Sequence, residues 1–229
     1  MKKTALLALG LAFTYSAVAQ AADLKTTEQK VSYTLGADLA TNFENQGLKI
    51  DSKSLLAGLE DAMNKKPLKL TKEEMEEAIA SVKQDMMKKQ LEARNAQGAE
   101  NAKIGEAFLA ENAKKAGVKT TLSGLQYKVL EEGTGASPTI DDKVTAHYEG
   151  RLIDGTVFDS SYERGTALEF GVGNVIKGWQ EALMLMSPGA KWEIYVPSKL
   201  AYGENGAGER IGPNTTLIFT VELITFSAE

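Results

Sequence analysis

The chain has 229 residues, 43% of them apolar and 25% charged, with 5 prolines and no cysteine. This composition belongs to folded, soluble chains of one or two domains and excludes disulfide scaffolds, thiol nucleophiles, thiolate metal sites and lipid-bearing cysteines. The formal net charge of −5 argues against nucleic acid and anionic lipid as partners, and a single histidine leaves almost no room for zinc or Ser-His chemistry.

The first residues, MKKTALLALGLAFTYSAVAQAADL, carry Lys2 and Lys3, an apolar run from Ala5 to Phe13, and small residues at Ala19 and Ala21. That order is the order of a secretory signal peptide, residues 1–21, cut after Ala21; Ala17-Val18-Ala19 offers a second site two residues earlier. A membrane anchor needs about 20 uninterrupted apolar residues, so no stable membrane insertion is expected.

Residues 22–70 read as a helical module. Val31, Leu35, Leu39 and Phe43 recur every fourth position on one side of a helix that Gly47 can close. Asp51 is the N-cap of a second helix, Ile50 and Leu55 form its hydrophobic staple, and Leu56, Leu59 and Met63 form its stripe. A piece of this size buries too little to be stable alone, so its stripes are expected to meet those of a second copy.

Residues 71–117 read as one long connecting helix, with a Thr71/Glu74 capping box before it and Gly117 in the left-handed stop position. At 1.5 Å per residue it would span roughly 67 Å, which makes it a strut between two modules. Met75, Ile79, Val82 and Met86 follow 4-3-4 spacing and belong to the dimer seam. Between Lys88 and Lys103 only Leu91 is large and apolar, which predicts a solvent-crossing spacer; Ile104, Phe108 and Leu109 then return to a packed surface. Gly98 and Gly105 are the expected bending points. The competing reading is a charge-rich surface helix of one compact domain.

From Gly117 onward the composition changes: 11 of 16 aromatic residues, 15 of 21 glycines and 4 of 5 prolines lie there. The periodicity becomes alternating, with Leu125, Tyr127 and Val129, then Val144, Ala146 and Tyr148, then Trp192, Ile194 and Val196, then Leu217, Phe219, Val221 and Leu223 each on one face. Asp154-Gly155 signals a hairpin, and VIKGWQEALMLM a single short helix. The fold class is therefore α+β: a helical module, a long helix, and over residues 118–229 an antiparallel sheet folded on one helix.

The segments VTAHYEGRLIDGTVFDSS, VIKGW, MSPGAKWEIYVPSKLAYGENG and IGPNTTLIFTVELI resemble the FKBP-type peptidyl-prolyl isomerases in order and with few gaps, and SYTLGADLATNF with the strut resembles the exported, Mip-like branch of that family. The resemblance implies a half-barrel sheet around a short helix and a peptidyl-prolyl isomerase that needs no metal or cofactor. It also implies a V-shaped homodimer held by the N-terminal helices, exported to the periplasm or cell surface. Unfolded or partly folded proline-containing proteins become the clients, and macrolide inhibitors join the candidate ligands. Carried over by position, Trp179 is the pocket floor, with Tyr148, Phe158, Val175, Ile176, Tyr202, Ile211 and Phe219 as walls and Asp159 and Arg164 at the polar rim. Tyr148, Asp159 and Tyr202 are the candidate catalytic groups, and the Ile176 N–H is expected to bind a substrate carbonyl. Leu168, where an aromatic wall is usual, Ala207, where His is common, and a short loop between Phe170 and Val175 depart from the family pattern and bear on sequence preference.

Other signals are weaker. Phe170 reads as core, His147 points away from the Tyr148 face by strand alternation, and Gly171-x-Gly173 lacks the context of a phosphate loop. A second functional reading keeps the fold but makes the protein a client-binding chaperone or surface interaction protein in which isomerisation is incidental.

Overall fold

A computed structural model of the chain describes residues 24–227, so the signal peptide expected over 1–21 lies outside the described residues. The chain divides into two compact units, residues 1–75 and 76–229, with the boundary one turn into the long helix.

In the first unit, α1 (Thr27–Asn45) begins at a capping box in which Gln29 and Thr26 exchange side-chain to backbone hydrogen bonds, and Gly47 follows it at φ +66°. Helix α2 (Ser52–Met63) starts at Asp51, whose Oδ1 accepts from the Ser54 N–H at 2.8 Å. Neither helix contains a buried residue, and the predicted stripe residues Val31, Leu35, Leu56, Leu59 and Met63 are all exposed. Phe43, Ile50 and Leu55 line a shallow hollow between the two helices.

Helix α3 (Lys72–Asn112) is 41 residues long, about 61 Å at the standard rise. Thr71 and Glu74 form the expected capping box. The helix stops at Asn112 rather than Ala116. Its last bonds tighten to the i+3 pattern, the buried Asn112 amide donates to Gln126 Oε1 at 3.0 Å, and Gly117 takes φ +82°. Among the described residues no helix is long and apolar enough to cross a membrane.

The second unit holds the rest of α3 and a seven-stranded antiparallel sheet: β1 (Val118–Thr120), β2 (Gln126–Glu131), β3 (Lys143–Arg151), β4 (Val157–Ser160), β5 (Leu168–Gly171), β6 (Lys191–Val196) and β7 (Leu217–Ser227). The order is β1-β2-β6-β7-β3-β4, with β5 also paired to β3. Alternation along β3 buries Val144, Ala146, Tyr148 and Gly150. Helix α4 (Lys177–Leu183) joins this face through Trp179, Ala182 and Leu183, which are buried in one cluster with Ile194, Val196, Leu217, Phe219, Val221 and Leu223. The hairpin at Asp154-Gly155 forms as read, with Gly155 at φ +90° and Leu152 N–H donating to Thr156 O.

The spacer reading of α3 fails between Arg94 and Lys103. Gly98 and Gly105 are buried inside unbroken helix, and this part of α3 lies on the segment that leads into β7. A Cβ at Gly98 would approach Pro213 to 3.3 Å, and one at Gly105 would collide with the Thr216 hydroxyl. Asn101 Nδ2 donates to Pro213 O at 2.8 Å, Asn214 Nδ2 to Gly98 O at 3.3 Å, and the Phe108 ring meets Tyr195 at 6.0 Å between centroids. The glycines permit close approach and are not hinges.

A free Gly105 would gain about 1 kcal/mol of helix stability on conversion to alanine. At a filled interface the extra methyl costs about 1–3 kcal/mol instead. Thermal unfolding of Gly105→Ala is therefore expected at lower temperature than the wild type; a higher Tm would restore the hinge.

Candidate active site

Four strands and one helix converge on a cavity of about 300 Å³. Strand β3 contributes Tyr148, β4 contributes Phe158 and Asp159, and β7 contributes Phe219; α4 brings Trp179 under them from below, while Val175, Ile176 and Tyr202 arrive on loops. Trp179 is nearly fully buried and meets Tyr148 and Phe219 edge to face, each at 5.2 Å. Phe158 stands perpendicular to Phe219 at 5.6 Å. These T-shaped contacts fix each ring plane by its quadrupole. Room for them comes from Gly150, two residues beyond Tyr148 on the inward face of β3: a Cβ there would lie 2.6 Å from the Phe158 ring and 2.8 Å from that of Phe219.

Polar groups occupy one side of the mouth. The Tyr148 hydroxyl donates to Asp159 Oδ2 at 2.6 Å, Arg164 donates to Asp159 Oδ1, and Arg164 Nη2 donates to the Tyr148 oxygen at 2.8 Å. The guanidinium also sits 5.5 Å from the centre of the Tyr148 ring. Partial burial pushes the Asp159 carboxyl up, but hydrogen bonds from Tyr148 and Arg164, together with the arginine charge, outweigh it and hold the group below the usual carboxylate range. Burial and then the bond to Asp159 raise the Tyr148 phenol. At neutral pH the rim is a closed triad of phenol, carboxylate and guanidinium.

Ten of the eleven residues picked from sequence meet at this cavity or its rim: Tyr148, Phe158, Asp159, Leu168, Val175, Ile176, Trp179, Tyr202 and Phe219 line it, and Arg164 reaches it through Asp159 and Tyr148. Ile211 is buried and lines an adjoining hollow with Phe158, Asp159, Tyr202, Ala207 and Arg210. Phe170, read as core, lines the cavity beside Trp179 at 5.7 Å, because β5 pairs with β3 and turns this ring inward; Asn174 lines it as well.

Two supports were also not singled out. Gln180 Nε2 donates to the carbonyls of Gly173 and Val175, which holds the loop in front of Ile176, the N-cap of α4. Buried Ser161 accepts from the Tyr148 N–H at 2.7 Å and donates to its carbonyl, which clamps β3 at the tyrosine. The Ser-Ser after Asp159 was a local signal that could have suggested a backbone clamp. His147 bonds Ser161 Oγ and stacks on Tyr162, on the side away from the cavity.

Comparisons with known proteins show the family of the chain. A sequence model of the FKBP-type peptidyl-prolyl cis-trans isomerase family matches residues 135–224, and one for the domain amino terminal to FKBP-type peptidyl-prolyl isomerase matches residues 28–129. Outer membrane protein MIP of Legionella longbeachae is 45% identical over 98% of this chain and 97% of its own length. Peptidyl-prolyl cis-trans isomerase Mip of Coxiella burnetii is 47% identical over 98% of both chains. The crystal structure of FkpA from Escherichia coli is similar with a TM-score of 0.75 and 37% identity, covering 90% of this chain and 99% of that one.

Removing the Tyr148 hydroxyl takes away one of the two side-chain bonds that hold the Asp159 carboxylate in its charged form. In Tyr148→Phe the Asp159 carboxyl is expected to titrate at higher pH than in the wild type, read from its side-chain carbon shift by NMR. An unmoved titration would mean that Arg164 alone sets the charge at the rim.

Proposed function

Because the chain belongs to the FKBP-type peptidyl-prolyl cis-trans isomerases, we propose that the aromatic cavity over Trp179 takes the prolyl ring of an extended peptide and turns the X-Pro bond there. The observation that carries this reading is the ring box itself, with one charged triad on its edge. Rotation about the amide faces a barrier of roughly 18–20 kcal/mol because the planar form is resonance-stabilised, and no bond has to break. The planar amide is charge-separated, whereas the twisted amide has a less polar carbonyl. A water-poor aromatic wall therefore disfavours the ground state relative to the twisted one, and a shaped pocket selects a pre-twisted conformer.

The candidate catalytic groups follow from this chemistry. Tyr202 and the Ile176 N–H orient the carbonyls on either side of the proline. Asp159, kept anionic by Tyr148 and Arg164, acts electrostatically beside the reacting amide. Phe158, Phe219, Val175 and Leu168 close the walls, and Ile211 bears on the residue next to the proline.

The finer reading is an exported homodimer that also holds clients. Residues 22–70 are its dimerisation module, α3 the connector and residues 118–229 the isomerase domain. Support comes from the apolar stripes of α1 and α2, none of which is buried within the chain, and from the Lys2–Ala21 segment. Protein recovered from the periplasm is expected to sediment as a dimer of chains that start at Ala22. Leu35→Asp combined with Leu59→Asp should give monomers; a wild-type monomer, or an uncleaved chain, would sink this part.

For the chemistry, a protease-coupled assay on X-Pro peptides should show at least about ten-fold loss of kcat/KM in Asp159→Leu, or roughly 1.4 kcal/mol. Suppression of client aggregation should survive the same change. Wild type and variant equally inactive would overturn the isomerase reading, while aggregation control lost with Asp159 would overturn the separate holding role.

A further inference from the structure

The wall that carries Tyr202 has little regular structure of its own. From Tyr202 to Thr216 the chain contains one short 3-10 turn, Gly203–Asn205, and one isolated bridge between Ala207 and Ile211. Asn214 N–H donates to Gly203 O at 2.8 Å and closes the segment on itself, and Arg210 Nη1 donates to Phe158 O at 2.9 Å and ties it inward. On its outer side the segment is tied to α3. Arg94 Nη2 donates to Asn205 O at 2.7 Å, at the end of the turn that begins directly after Tyr202. One and two turns along the helix, Gly98 and Asn101 hold Pro213 and Asn214, at the other foot of the segment. Pro213 is buried beneath the helix.

We propose that α3 braces this wall and that Arg94 is a positioning residue for Tyr202. The guanidinium touches no cavity atom. It acts through the Gly203–Asn205 turn, whose carbonyl it fixes with a charge-assisted bond, so that Tyr202 meets the substrate already placed. Ordering the wall in advance lowers the entropy lost on binding, and so the effect belongs in KM; the reacting amide and the Asp159 triad stay as they are. The inference rests on the reading that the cavity takes an X-Pro peptide with Tyr202 as one wall.

The test uses the full-length protein and a cis X-Pro tetrapeptide, with kcat and KM measured separately. Arg94→Ala is expected to raise KM by roughly 3–10-fold with kcat within about two-fold of wild type, while Arg94→Lys, which keeps one charged donor, recovers most of the loss. Because Arg94 is on the surface, Tm should stay within about 2 °C, which separates positioning from unfolding. Wild-type turnover that disappears in Asp159→Leu but shows the same KM in Arg94→Ala would overturn the brace alone. Loss of kcat and KM together with a lowered Tm would overturn it in favour of a structural role. A wild type without turnover would overturn the isomerase reading and the brace with it.

Discussion

The edge-to-face packing of Trp179 against Tyr148 and Phe219 is the contact on which the site depends. Each such pair is worth about 0.5–1.5 kcal/mol beyond its buried area, and two at right angles leave the indole little choice of plane. The same three rings belong to the core of the sheet and to the wall of the cavity. Folding the half-barrel and shaping the pocket are therefore one event. Gly150 is the condition that permits it, since any side chain there would occupy the volume where Phe158 and Phe219 meet. A cavity walled this way takes its shape from the ring contacts of the folded chain itself.

Much of that was legible in the residues. Alternation along β3 and β7 put Tyr148 and Phe219 on the inward face, and the family resemblance supplied the roles of Phe158, Asp159 and Trp179. Phe170 packs against the core as read, but its share in the cavity was not legible, because β5 is four residues long and only its pairing with β3 fixes which way the ring points. Gln180 and Ser161 were invisible for a different reason. Their work is done on backbone carbonyls and N–H groups, and the address of those groups exists only after the loop and the strand have been placed.

Helix α3 shows where hydrophobic periodicity stops being informative. Arg94, Gly98, Asn101, Gly105, Phe108 and Asn112 follow 4-3-4-3-4 spacing, the same rhythm as Met75, Ile79, Val82 and Met86. Up to Gly105 the second seam uses small and polar residues in place of apolar ones, and so that part reads as solvent-exposed. What it gains from glycine is distance: the helix backbone comes close enough for Gly98 O to accept from Asn214 and for Asn101 to reach Pro213 O. The penalty of about 1 kcal/mol for each glycine in a helix is offset by contacts that no larger residue would allow.

The two seams imply different kinds of association. A surface of Met, Ile, Val and Leu gains by leaving water, about 25 cal/mol per Å², and has no strong demand for one exact partner geometry. A surface of glycine, asparagine and arginine gains almost nothing from burial alone; it is stable only where carbonyls and hydroxyls meet it at hydrogen-bond distance. The first unit has only the former kind, with α1 and α2 exposing Val31, Leu35, Leu59 and Met63 and burying none of their residues. About 50 residues with their apolar stripes in water lack the burial that offsets chain entropy. The second unit meets that condition within its own residues. The aromatic cavity over Trp179 draws its whole lining from the second unit, where the buried core that shapes it also lies.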